Sequence, residues 1–252
     1  MAAMAVSIAA FSVIAATSVV TSFISGILGM AGGMMLMGVL LWFLPLPAAM
    51  MMHGISQLAS NGWRAIMLRR EIDWRVMRGY AMGATLAVVF FAMTRIVVGK
   101  AAALVAMGCT PFLALMLPEK LHLNVERRGH SFWCGVVCLT LSLTAGIAKP
   151  ILDVFFVRSK MTRHKVVATK ALTQSLSHVM KIAYFGGVLA IEGTDVSPWL
   201  AATMVVLAFI GTSLSRRVLE RMTDKSFRQW TRWTVMSLGG MYLVSGLRLL
   251  LA

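Results

Sequence analysis

Five polar residues recur on one side of an otherwise apolar stretch. Lys170, Gln174, Ser177, His178 and Lys181 follow one another at intervals of four, three, one and three, which on a helix sets them along a single stripe. His53, Gln57, Ser60, Asn61 and Arg64 write an equivalent stripe at 48–68. Ammonium, amide and hydroxyl groups are hydrogen-bond donors suited to a small anion, and the imidazoles of His53 and His178 can carry protons near neutral pH. Covalent chemistry is not written here. No paired carboxylates, HExxH, GxSxG or Cys/His dyad stands at a workable spacing. Ser177 and His178 are sequence neighbours, so on a helix they point about 100° apart. A Walker motif is missing too, and an intramembrane enzyme ranks well below a binding or conducting site.

These stripes need elements to hold them, and the composition names the medium. Of 252 residues, 59% are hydrophobic and 13% charged, against roughly half and a quarter in soluble domains. A soluble globular fold is excluded. The net charge of +15 fits cytoplasmic loops against anionic lipid better than nucleic-acid binding. Five stretches, 48–68, 76–98, 166–190, 197–217 and 228–250, reach the ~20 apolar residues of a spanning helix, and 101–117 is shorter. Two regions are interrupted: 4–44 by Gly26, Gly29, Gly32 and Gly33, and 131–157 by Gly146 and Lys149-Pro150. Each reads as a broken helix or a hairpin of half-helices. The first 24 residues hold no Lys or Arg, so the apolar N-terminus is expected to stay in the mature protein. Cys109, Cys134 and Cys138 read as small packing residues, the methionine runs as adaptable packing without a metal site, and Trp63, Trp74, Trp199, Trp230 and Trp233 as interfacial belts.

Charge inside hydrocarbon is expensive, about 2.5–3.5 kcal/mol per group on insertion scales. Lys149, Lys170 and Lys181 therefore need compensation. Asp153 is the acid in the deep segments and can pair with Lys149 one turn away, which leaves a cation for an anionic ligand to neutralise. The glycines point the same way, since Gly29, Gly32 and Gly33, and likewise Ala148 to Ile151, can open half-helices whose free N–H groups and positive dipole ends meet an anion. Close helix packing is the competing reading of those glycines.

Bases also set the orientation. Arg69, Arg70, Arg75 and Arg78, then Arg158, Lys160, Arg163 and Lys165, then Arg216 to Arg228 mark cytoplasmic loops, whereas 44–47 and the acidic connection with Glu192 and Asp195 face outward. A shift of 117 positions lays Gly29-Met-Ala31-Gly-Gly33 on Gly146-Ile-Ala148-Lys-Pro150, and His53 to Arg64 on Lys170 to Lys181, with Gln57 over Gln174. The matched loops fall on opposite sides. Two inverted repeats are expected, 1–120 and 121–252, each with a glycine-interrupted segment and about three full spans, in an all-α polytopic membrane protein.

The glycine cluster Gly26-x-x-Gly29-x-x-Gly32-Gly33 with Pro45, the polar helix ending at Arg64, and the loop Glu71-Ile72-Asp73-Trp74-Arg75 together resemble the sulfite exporter TauE/SafE family, also called the sulfonate uptake permeases. The resemblance spans nearly the whole chain. It departs at Lys149-Pro150, where the family usually carries glycines. It implies a multi-pass carrier of the bacterial inner membrane for a small organic or sulfur-containing anion such as sulfite, a sulfonate or a sulfoacetate-like dianion. The candidate substrate-binding set is Gly29, Gly32, Gly33, His53, Gln57, Asn61, Lys149, Lys170, Gln174, Ser177, His178 and Lys181, with Lys149 and Asp153 as a candidate ion pair. An anion channel lined by the same bases is the alternative. Expected partners are the anion, protons as a candidate coupled ion, and the bilayer, with a homo-oligomer left open; no nucleic acid, metal or cofactor is expected.

Overall fold

A computed structural model describes residues 2–3, 7–28, 31–117, 123–192, 194–219 and 224–251. Among them run ten α-helices: α1 (Ile8–Leu28), α2 (Ala31–Phe43), α3 (Leu46–Met67), α4 (Trp74–Thr94), α5 (Lys100–Met116), α6 (His130–Thr144), α7 (Lys149–Phe156), α8 (Arg163–Glu192), α9 (Pro198–Leu219) and α10 (Asp224–Leu251). A 3-10 turn, Arg69–Glu71, joins α3 to α4, and Ala2–Ala3 pairs with Thr194–Asp195 as two short parallel strands.

Local chemistry starts and stops these helices. Pro47 sits in the first turn of α3 and Pro150 in that of α7, where a missing N–H costs nothing. The carboxylate of Asp73 caps α4 by accepting from the backbone N–H groups of Arg75 and Val76 at 3.0 and 3.1 Å. Gly146, with φ of +75°, makes the turn between α6 and α7 that a side chain would strain.

The chain buries polar groups within its apolar core and turns large apolar side chains outward. Ser18, Thr21, Ser22, Ser25, His53, Ser56, Gln57, Ser60 and Asn61 are buried, while Leu86, Phe90, Met93, Val206, Ile210, Leu247 and Leu250 are exposed. Lipid is the solvent that rewards this arrangement. Among the described residues, α4 and most of α1, α9 and α10 are long and apolar enough to cross a membrane. With 22 and 30 residues, α3 and α8 are long enough at 1.5 Å per residue, but their polar stripes lower their hydropathy. The interrupted stretch 4–44 resolves into α1 and α2, and 131–157 into α6 and α7.

The helices pair in a pattern that survives replacing each by the fifth one along. α3 packs on α8 and α5 on α10, while α1 packs on α9 as α6 packs on α4. Glycines show the directions. Gly54 meets Lys181 and Ile182, Gly62 meets Ser175, and Gly186 meets Met51, so α3 and α8 run antiparallel. Gly108 against Gly239 and Leu243, and Gly246 against Ala101 and Val105, make α5 and α10 antiparallel too. Gly79 and Gly83 lie against Ser131, Phe132 and Val136, and Gly26 and Gly211 against Ser215, Val19 and Phe23, so α4/α6 and α1/α9 are parallel pairs.

The segment 124–160 doubles back on itself. Val125 N–H donates to Phe155 O at 3.1 Å, Asn124 Nδ2 to Arg158 O at 2.9 Å, and Lys160 N–H to Glu126 Oε2 at 2.6 Å. α6 and α7 are therefore the arms of a hairpin with both open ends together and Gly146 at its tip.

Candidate anion site

Where α3 and α8 cross, their stripes face each other and the hairpin tip closes the space between them. The cavity there is lined by Gly33, His53, Gln57, Gly146, Ala148, Lys149, Gln174, Ser177 and His178, with Tyr80, Cys138 and Ser142 from α4 and α6. It is tight, about 30 Å³, room for roughly two waters. First turns of α2 and α7 both contribute to the wall, through Gly33 and through Lys149-Pro150, so two positive helix ends reach it.

Hydrogen bonds fix the bases. His53 Nε2 lies 3.0 Å from Gly33 O, a group that can only accept, so this nitrogen carries the proton. Its Nδ1 is then the acceptor for Lys181 Nζ at 2.8 Å. Lys181 donates a second bond to Gly146 O at 3.1 Å. The lysine is fully buried and has no carboxylate partner among the described residues. Lys149 Nζ donates to Gln57 Oε1 at 3.2 Å and to Ser25 Oγ at 3.4 Å. Across the cavity, Tyr80 OH and Ser177 Oγ are 2.6 Å apart.

Three wall residues carry polar atoms that are buried without a partner: Gln57 Nε2, Gln174 Oε1 and His178 Nδ1. Such an atom costs about 1–3 kcal/mol unless something satisfies it. Gln57 Nε2, and His178 Nδ1 as an N–H, are donors beside two ammonium groups, as an anion requires; Gln174 Oε1 is an acceptor, and its amide must turn over to present a donor.

Several sequence expectations land elsewhere. Gly32 faces α1, where an added Cβ would collide with Thr21 and Ser25. Asn61 turns back to Gln57 O at 2.9 Å and does not line the cavity. Lys170 pairs with Asp153, the carboxylate expected beside Lys149, because α7 lays that acid against the first third of α8. Gly29 lies outside the described residues. Gly33, His53, Gln57, Lys149, Gln174, Ser177 and His178 come together, with Lys181 directly behind His53. Tyr80 and Ser142 went unread in the sequence and Cys138 was read as packing; Cys134, Cys138 and Ser142 stand four residues apart on α6, a small-residue stripe that could have announced the last two.

A polytopic helical bundle with a buried, base-lined cavity at two broken helices defines a membrane transporter. Residues 14–242 match the family described as Sulfite exporter TauE/SafE, nearly the full chain, and the protein belongs to that family. Nothing matches among curated proteins or solved structures.

Proposed function

We propose that the protein is a secondary carrier for a small organic or sulfur-containing anion, a sulfite or sulfonate, working by alternating access in a bacterial inner membrane. The observation that carries this is Lys181: a wholly buried ammonium with neutral partners, beside a cavity whose Gln57, Gln174 and His178 offer unsatisfied polar atoms. A bound anion offsets the charge and accepts from Gln57 Nε2, from His178 Nδ1 as an N–H, and from Gln174 once its amide turns over to present Nε2. Donors that converge on its oxygens from both halves orient it.

The two halves, 1–120 and 121–252, act as inverted units. Counterpart helices α3/α8 and α5/α10 pack antiparallel, as a two-fold axis in the membrane plane requires, and the α6–α7 hairpin enters and leaves on one side. The cavity lies between the halves, so rocking one against the other exposes it to each side in turn. Its 30 Å³ favours this over a standing pore, because a channel needs a continuous wet path.

Purified protein in liposomes loaded with sulfite, methanesulfonate or sulfoacetate tests the reading. Saturable uptake with counterflow is expected, reduced at least tenfold by Gln174→Ala and by Lys181→Ala. Unitary currents would replace the carrier by a channel, and unchanged flux in both variants would remove the site.

A further inference from the structure

The Lys181–His53 contact has a donor on one side only. Gly33 O obliges His53 Nε2 to donate, so Nδ1 is a lone pair turned to the ammonium at 2.8 Å. Were both partners fully protonated, two cations would face each other with hydrogens between them and the bond would break. Without an anion the pair therefore holds a single positive charge. Other titratable groups around the cavity are His178, whose ring centroid is 5.8 Å from that of His53, Lys149 on α7, Tyr80 on α4 and Cys138 on α6. None of them supplies a carboxylate to offset a second charge.

An anion does supply it. With negative charge in the cavity, a second proton on the pair is no longer opposed; Nδ1 becomes an N–H, the Lys181–His53 bond is released, and both groups donate while Lys181 keeps Gly146 O. We propose that Lys181 and His53 form the carrier's proton site, binding one proton from the open side together with each anion and releasing it with the anion on the other. The proposal rests on the anion-carrier reading above and adds the coupled ion. Binding linkage is reciprocal, so the anion raises proton affinity by the factor by which the proton raises anion affinity. Geometry adds a mechanical consequence, since His53 holds the start of α2 through Gly33 and Lys181 holds the hairpin tip through Gly146. Breaking the link between them uncouples the broken helices of the two halves when the load is aboard.

Methanesulfonate is the probe, because it stays a monoanion across the working pH range and any proton that moves is carried by the protein. In liposomes with a trapped pH indicator and a clamped potential, uptake acidifies the lumen with about one proton per anion, and an inward proton gradient drives accumulation. His53→Gln is the informative variant: the amide donates to Gly33 O and accepts from Lys181 but does not titrate, so whatever anion movement it retains, slower or not, carries no proton and the proton-to-anion ratio falls to zero. If His53→Gln does not exchange anion, calorimetry of the wild type in two buffers of unlike ionisation enthalpy reads the proton directly. Methanesulfonate movement or binding without a proton overturns the proton site and leaves the carrier standing, as does undiminished acidification by His53→Gln. Failure of methanesulfonate, sulfite and sulfoacetate alike to move overturns both.

Discussion

At the scale of single residues, the site works by what is left unsatisfied. Tyr80 and Ser177 make a closed hydroxyl pair at 2.6 Å in a wall that also carries unpaired atoms on Gln57, Gln174 and His178. Tyr80→Phe removes one member without changing the ring's packing. We expect a loss of about 1 kcal/mol in stability, the typical net value of such a bond, read as a lowered melting temperature in detergent, together with altered anion affinity because Ser177 is then free to turn into the cavity. An unchanged affinity would make the pair a spacer between α4 and α8. The stripe residues were legible beforehand because polar groups repeated at helical spacing in hydrocarbon must face inward. Tyr80 was not, and Cys138 and Ser142 passed for packing because their stripe on α6 is made of small, weakly polar groups that a helix interface also uses. Asp153 gains a partner that the sequence did not give: spacing within a helix finds the neighbour one turn away, Lys149, whereas the ion pair with Lys170 is made between helices.

Elements translate these residues into fixed positions, and two of them are open to test. Gly146 turns the hairpin at φ +75°, and an added Cβ would stand 3.0 Å from both Met37 Cε and Met50 Sδ. Gly146→Ala should cost roughly 1 kcal/mol from backbone strain alone and, by displacing the carbonyl that holds Lys181, cut transport more than its stability loss explains. Asp73 serves two roles, capping α4 and holding Lys165 at 2.8 Å. Partial burial pushes its carboxyl up, but the hydrogen bond from Lys165 and the capping N–H groups outweigh this and hold it below its ordinary value. Stability from a depressed carboxyl is present above the unfolded-state pKa and is lost as pH falls through the folded one. Acidification below about pH 4 should thus loosen the α3–α4 loop from α8 in the parent but not in Asp73→Asn, which keeps the cap and loses the charge. Asp73→Ala forfeits both, with the cap worth about 1 kcal/mol. Thermal melts at pH 7 and pH 3.5 order the three proteins. Helix positions were readable in the sequence to within a few residues because each span is a long apolar run, and the breaks were readable because glycine and proline mark them.

For the whole molecule, charge and packing must agree about sides, and they were read from different signals. The excess of Lys and Arg assigns the α3–α4 and α7–α8 loops to one side, the cytoplasmic one by the positive-inside rule, and the α8–α9 connection to the other. Helix directions give an independent reckoning: if α4 leaves the cytoplasm, its parallel partner α6 does as well, the hairpin brings α7 back, and α8 then crosses outward, antiparallel to α3. Every step returns the basic loops to one side. Cysteine labelling in intact cells checks the chain of inferences at its ends. With the native Cys109, Cys134 and Cys138 replaced by Ser, a cysteine at Arg70 or at Lys160 should react with an impermeant maleimide after permeabilisation, and one at Glu192 before it. Labelling at Lys160 and Glu192 from the same side would break the alternation, because α8 would no longer cross. The antiparallel counterparts would then have lost the in-plane axis on which two-sided access to one cavity depends.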